Sequence, residues 1–219
     1  KENKMAKPII IFGNKDLAEM ANFYFTQAGR PVAGFTMDNP EKDTYLGKPM
    51  YDFSTVYLDC TTKEYDMFAP MYSNIAREKI YWKIRDLGYR MVNYVHDTAY
   101  IWDPRVINVG MNNFVQEHNV IQYGTTVGDN NIFWAGNHIG HHGVIGAHNY
   151  FSSHVVLSGH CKVANGNFFG VNCTIKDDTD IAEGNYFGAG CYVSKNIETN
   201  NTLYYGTPAT AKGDAKKYM

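Results

Sequence analysis

The chain has 219 residues, 44% of them hydrophobic, and a formal net charge of −2. That balance provides no basic stripe for a nucleic-acid partner, and no apolar run approaches the roughly 20 residues that span a bilayer. Residues 1–7 lack the apolar core of a signal peptide, so a soluble cytoplasmic protein of one large or two small domains is expected, with Met5 a candidate for its native start.

Residues 8–96 alternate strand and helix signals. Residues 8–12 form a short apolar run closed by Gly13. Residues 16–28 carry Leu17, Met20, Ala21 and Tyr24 at helical spacing, and Gly29 ends that helix. Strands are expected at 32–37, 55–58 and 67–69. Ser73 is placed to cap a helix running to Leu87 and stopped by Gly88, and residues 91–95 close the set. This β-α-β order predicts a small parallel sheet. The first turn reads Gly13-Asn14-Lys15-Asp16-Leu17-Ala18. Lys15 replaces the second glycine of a dinucleotide fingerprint, which argues against a dinucleotide. The helix start still offers backbone amides to a phosphate. Lys15 adds a charge there, and Asp38, at the end of the second strand, can accept hydrogen bonds from a ribose or base. The plainer reading of Lys15 and Asp16 is solvation of a helix start.

From about residue 97 the grammar changes. Val109, Val115, Ile121, Val127, Phe133, Ile139, Ile145, Phe151, Leu157, Val163, Phe169, Ile175, Ile181, Phe187 and Val193 fall at one unbroken spacing of six. Neither a helix nor a simple strand has that period; a hexapeptide β-solenoid does, with positions 18 apart stacked on one face. The third residue after each ladder position, from Asn112 to Asn196, is always Gly, Asn, Asp or His. These types most readily accept positive φ, so the column reads as the tight corners. The residue before each ladder position is often large and apolar, as at Phe114, Ile132, Val144, Tyr150, Val156 and Phe168. Such outward-facing side chains predict burial against neighbouring subunits. Cys60, Cys161, Cys173 and Cys191 contain no C-x-x-C pair. Three of them stand two residues before ladder positions, which reads as small buried side chains rather than metal ligands or disulfides.

The ladder also sorts the histidines. His118, His142, His148, His154 and His160 occupy corners, and His96 lies at the junction between the halves. His138 and His141 remain unexplained by the scaffold. The stretch Asn137-His138-Ile139-Gly140-His141-His142-Gly143-Val144-Ile145-Gly146 that holds them resembles the catalytic rung of bacterial hexapeptide-repeat sugar acyltransferases, in the sialic acid O-acetyltransferase/PglD-like family. That resemblance covers nearly the whole chain. It implies a Rossmann-like α/β domain over 1–96, a left-handed parallel β-helix over 97–205 and a homotrimer, and the polar tail over 206–219 reads as ending in a helix. It also implies acetyl-CoA as cosubstrate and no metal. The partner would be an amino sugar linked to UDP or dTDP, gripped by the N-terminal domain through Asn14, Lys15, Asp16 and Asp38. The histidine opening the H-x-x-x-x-G element is the family's general base, here His141. An imidazole titrates near neutrality, as such a base must. His142 stands where one branch has an acidic residue, and it either orients His141 as a neutral partner or lowers its basicity as a second charge. His138 is a candidate acceptor contact. By motif spacing, Tyr150, Gly159, Val171 and Ala189 match cofactor positions, with a tyrosine where relatives place a histidine, and Gly206-Thr207-Pro208-Ala209 resembles the segment beside the adenine. The expected activity is N-acetylation of a nucleotide-linked amino-deoxysugar. The alternatives are a sugar O-acetyltransferase, a zinc hydro-lyase like γ-carbonic anhydrase, which a stoichiometric metal assay separates, and a non-catalytic nucleotide-sugar-binding protein.

Overall fold

The computed structural model describes residues 6–102 and 109–219. The first half is built on a five-stranded sheet. Strands β1 (Ile9–Phe12), β2 (Val32–Met37), β3 (Thr44–Tyr45), β4 (Lys48–Asp52) and β5 (Asp66–Phe68) lie in the order β3-β4-β2-β1-β5. All pairs are parallel except the β3–β4 hairpin. Helix α1 (Asp16–Gln27) joins β1 to β2 and buries Leu17, Ala18, Ala21 and Phe25, with the expected Met20 and Tyr24 only half-buried at the edge of that face. Helix α3 (Asn74–Asp86) starts as expected, with the Ser73 hydroxyl accepting from the Ala76 amide.

Two details of this half differ from expectation. Residues 55–58 do not form a strand. Asp52 Oδ1 accepts from the backbone and hydroxyl of Ser54 and turns the chain, and a single helical turn, α2 (Val56–Asp59), follows. Only Val56 of that turn is buried, so no strand neighbour is needed. The sheet instead recruits β4, through a hairpin whose Leu46 and Gly47 both take positive φ; leucine gives no turn signal there. In the segment 91–95, Met91 bridges Met67, but Tyr94–Val95 pairs with Phe114–Val115 in the second half.

The second half is a β-solenoid with three faces of two-residue strands. The first face stacks Tyr94–Val95, Phe114–Val115, Ile132–Phe133, Tyr150–Phe151, Phe168–Phe169, Tyr186–Phe187 and Thr202–Tyr205. The second runs from Tyr100–Ile101 through His138–Ile139 to Tyr192–Val193, and the third from Thr126–Val127 to Asp180–Ile181. Ladder residues fill the interior; Phe133, Phe151, Phe169 and Phe187 stack with ring centroids 4.7–5.0 Å apart. All fourteen corner residues from Asn112 to Gly190 lie in the left-handed region, with φ between 53° and 77°. Asn196 breaks the pattern because the last coil is shortened: Ile197 bridges Ile181, and Asn201 takes the next left-handed turn.

A second column holds one edge together. Asn113, Asn131, Asn149, Asn167 and Asn185 are buried in register. Each side-chain oxygen accepts the backbone N–H of the next coil, at 2.8–2.9 Å. This satisfies amides that a tight corner removes from the β ladder. The four cysteines are buried and free.

The outward apolar residues of the first face are covered by the chain's own N-terminal half, not left for a neighbour. Phe114, Ile132, Tyr150 and Phe168 share one core with Ile9, Ile11, Phe25, Phe35 and Phe68. Fully buried Arg77 on α3 ties the halves together. It donates to the carbonyls of Met71, Asn130, His148 and Asn149 and to Asn74 Oδ1, and burial pushes its pKa down to about 9. The C-terminal end is not helical as expected. Thr202–Tyr205 turns back into an antiparallel strand, Thr210–Asp214, followed by one short turn, Ala215–Lys217. Pairing with the last coil gives that edge a partner and caps the solenoid.

Candidate functional site

His141 and His142 form the corner between the second and third faces. The coil fixes their backbone: the His141 amide donates to Gln122 Oε1 at 3.1 Å, and that of His142 to the Tyr123 carbonyl at 2.9 Å. The left-handed φ of 54° at His142 turns its ring back toward His141, and the two Nδ1 atoms stand 3.1 Å apart. One of them must donate and the other accept. His141 Nε2 has no hydrogen-bond partner among the described residues, and both rings are exposed to solvent. Gly159 lies under the His141 ring, where a Cβ would come within 2.7 Å of Cε1. Glycine there leaves room for the exposed His141 ring.

The sequence assigned His160 only to a corner, yet the structure brings it to this pair. Its ring is parallel to that of His142 at 5.1 Å and perpendicular to that of His141 at 5.0 Å. The spacing of 18 between His142 and His160 is the signal that places them together. His138 stays outside the group, half-buried on the second face between Val120 and Val156.

Of the four candidate cofactor positions, Val171 and Ala189 occupy equivalent places one coil apart on the corner between the first and second faces. Gly159 lies on the other edge of the second face, beside His141. Tyr150 does not join them. It belongs to the first face, is 2% exposed, and its hydroxyl accepts from Trp134 Nε1. Its ring packs on Phe168 and Tyr72 in the core between the halves, and burial raises its pKa. A tyrosine there closes the interior rather than facing a groove.

A second site opens in the N-terminal half. Asn14, Lys15, Asp16 and Asp38, all singled out from sequence, line one cleft of about 730 Å³. Gly13, with φ 110°, turns the chain so that the start of α1 faces it. Asp38 stands 3.6 Å from Lys83. The opposite wall is Pro70, Met71, Tyr72 and Ser73, with Trp134 from the solenoid. Sequence reasoning missed that wall. Trp134 was findable, because the residue after a ladder position is small at most rungs. Of its four large exceptions, Gln116, Gln122, Trp134 and Lys176, Gln122 holds the His141 amide and Trp134 lines the cleft. The cleft opens beside the first face, and His141 projects from the far edge of the second.

No protein-family model matches the chain. Solved structures do. A histidine-to-asparagine variant of perosamine N-acetyltransferase from Caulobacter crescentus, in complex with CoA and GDP-perosamine, superposes with a TM-score of 0.86 at 24% identity, over 94% of this chain and 97% of that one. The chain has the left-handed β-helix acyltransferase fold. The acetyltransferase domain of PglB from Neisseria gonorrhoeae, in complex with acetyl coenzyme A, matches with a TM-score of 0.83 at 17% identity, over 94% and 99% of the two chains. WeeI from Acinetobacter baumannii matches with a TM-score of 0.75 at 16% identity, over 94% and 100%. No described helix is long and apolar enough to cross a membrane.

Proposed function

We propose that the chain is an acetyl-CoA-dependent N-acetyltransferase acting on the amino group of a nucleotide-linked amino-deoxysugar. The carrying observation is the His141–His142 pair: an exposed imidazole with one nitrogen held by its neighbour and the other free. Acetyl-CoA brings an activated thioester, so no enzyme nucleophile is needed. The sugar amine forms the new C–N bond at the thioester carbonyl while His141 Nε2 takes the amine proton. Collapse of the tetrahedral adduct breaks the C–S bond, and the proton leaves with the CoA thiol. His142 replaces the acidic partner seen in one branch, accepting or donating the shared Nδ1 proton and so fixing the tautomer of the base.

In this reading residues 1–96 hold the nucleotide sugar and 97–205 perform the transfer. The diphosphate sits against the start of α1 and Lys15, and Trp134 and Tyr72 offer ring faces to the base or sugar. CoA runs along the corner of Val171 and Ala189. Because cleft and base lie on different sides of one chain, a homotrimer that sets the cleft of one copy against His141 of the next completes the site. The need for acetyl-CoA puts the reaction in the cytoplasm. The complex of the Caulobacter enzyme adds GDP to UDP and dTDP as candidate nucleotides.

The test is a screen of GDP-, UDP- and dTDP-linked 3-amino and 4-amino sugars for thiol release from acetyl-CoA. Turnover with one of them, abolished by His141→Asn while CoA still binds, supports the reading. No turnover with any of them, together with tight nucleotide-sugar binding, makes the protein a binding module instead.

A further inference from the structure

The structure assigns a divalent metal site to His141, His142 and His160, selective for an ion of the zinc class. The sequence reading expected no metal, yet one ligating nitrogen from each of these three side chains lies within 4.8 Å of the other two. Three imidazoles at about 2.1 Å from one tetrahedral ion have nitrogens roughly 3.4 Å apart. The His141 and His142 Nδ1 atoms already stand at 3.1 Å, and closure turns the His160 ring out of its parallel stack on His142. All three rings are exposed and free to turn.

The scaffold clears space for these rings. A Cβ at Gly159 would lie 2.7 Å from the His141 ring, and one at Gly124 would lie 2.8 Å from the His142 ring. Gly136 gives the His154 ring the same room, so the clearance admits the imidazoles and the three-ring grouping is what sets this corner apart. The Tyr123 ring stands nearly perpendicular to that of His142, with centroids 5.7 Å apart. The donor set is three neutral nitrogens, with neither thiolate nor carboxylate among the grouped residues. Such a set suits Zn²⁺, Co²⁺ or Ni²⁺ rather than Mg²⁺ or Ca²⁺. The fourth position opens to solvent and would hold water. Other corner histidines lack this arrangement: His154 shares the left-handed corner geometry, with φ 60°, but belongs to no such group.

The consequence for catalysis rests on the proposed role of His141. A metal ion on His141 Nδ1 leaves the proton of the neutral ring on Nε2, the atom that must accept from the amine, so bound Zn²⁺ silences the base instead of assisting it.

The experiment is a Co²⁺ titration of the tag-free, chelator-stripped full chain, read by the visible d–d absorption of a tetrahedral site. One equivalent per chain is expected. Loss of an outer-shell partner alone costs about 10–100-fold in affinity, so His160→Asn, which removes a ligand, should weaken binding at least about 100-fold. His154→Asn should bind like wild type. Asparagine tolerates the left-handed corner, and circular dichroism checks the fold of both variants. Absence of a saturable one-equivalent band, or equal loss in the two variants, overturns the site. Thiol release is measured separately: Zn²⁺ should inhibit the wild type at one equivalent and leave His160→Asn active. Zn²⁺ that binds without slowing turnover overturns the silencing. The cobalt result stands whether or not a substrate is found.

Discussion

A corner residue of this solenoid has two duties, and the histidines show how they separate. The left-handed φ required at every third residue after the ladder admits Gly, Asn, Asp and His alike, so the sequence shows that His142, His148 and His160 can turn the chain. It does not show which rings then meet, because that depends on side-chain direction one coil away. If His141 is the base, His141→Asn should lower kcat by about 10²–10⁴-fold with little change in KM; steady-state thiol release decides it, and an unchanged kcat removes His141 from the mechanism. His148 makes the opposite case, a corner histidine turned inward. It is 4% exposed and its Nδ1 faces the Asn130 amide at 2.7 Å, so Nδ1 accepts and the ring is neutral. Burial lowers its pKa below the ordinary 6.5, opposed by Glu78, which stands 3.8 Å from Nε2, and by Asp129, and reinforced by Arg77. The unfolded chain therefore takes up a proton that the folded chain refuses. Stability is complete above pH 6.5 and falls as the pH drops from there toward the lowered folded value. Denaturation midpoints at about pH 7.5 and about pH 5.5 should converge in His148→Asn relative to wild type; an equal pH dependence in both proteins excludes His148 as the source.

At the scale of elements, legibility followed periodicity. The strands of the solenoid, α1 and α3 were readable because each repeats an apolar signal over several turns or coils. The turn at Val56–Asp59 and the hairpin at Thr44–Asp52 were not. Their conformations depend on one Asp52 contact and on a leucine in a left-handed turn, and neither leaves a period in the sequence. The asparagine column was present in the sequence at intervals of 18, but its meaning needed the register. Asn131 shows what it does: its oxygen accepts the Asn149 amide at 2.8 Å, and its nitrogen donates to Gly128 and Gly146 at 3.1 and 3.0 Å. Asn131→Ala strands those buried groups and should cost about 1–3 kcal/mol in chemical denaturation. The same substitution at exposed Asn200 is expected to cost less, since water replaces its partner. Equal losses at both positions would mean that the column stabilises only through its turns.

At the scale of the whole molecule, the outward apolar residues predict burial against neighbouring subunits. On the first face the N-terminal half takes that place. Val144 and Val156 remain 47% and 36% exposed on the third and second faces, and Tyr123, whose ring packs on His142, is 51% exposed. These are the surfaces left for another copy, and they flank the corner that carries His141. The distribution of chemistry leads to the same arrangement: the cleft with Lys15 opens beside the first face and the imidazoles lie across the second. If a trimer joins the cleft of one copy to the base of the next, two defective chains should repair each other. His141→Asn retains a sound cleft, and Lys15→Glu, which repels a diphosphate, retains a sound base. Each alone should be nearly inactive. Mixed at equal amounts before assembly, they would form sites at random, and roughly a quarter of these would pair a sound cleft with a sound histidine in a cyclic trimer. Thiol release from the mixture should therefore recover to about a quarter of wild type, while the same chains assembled separately and then combined stay inactive until subunits exchange. If every site lay within one chain, no mixture would recover. Native mass spectrometry of the mixed sample identifies the trimers, so a failure to mix is told apart from a failure to complement.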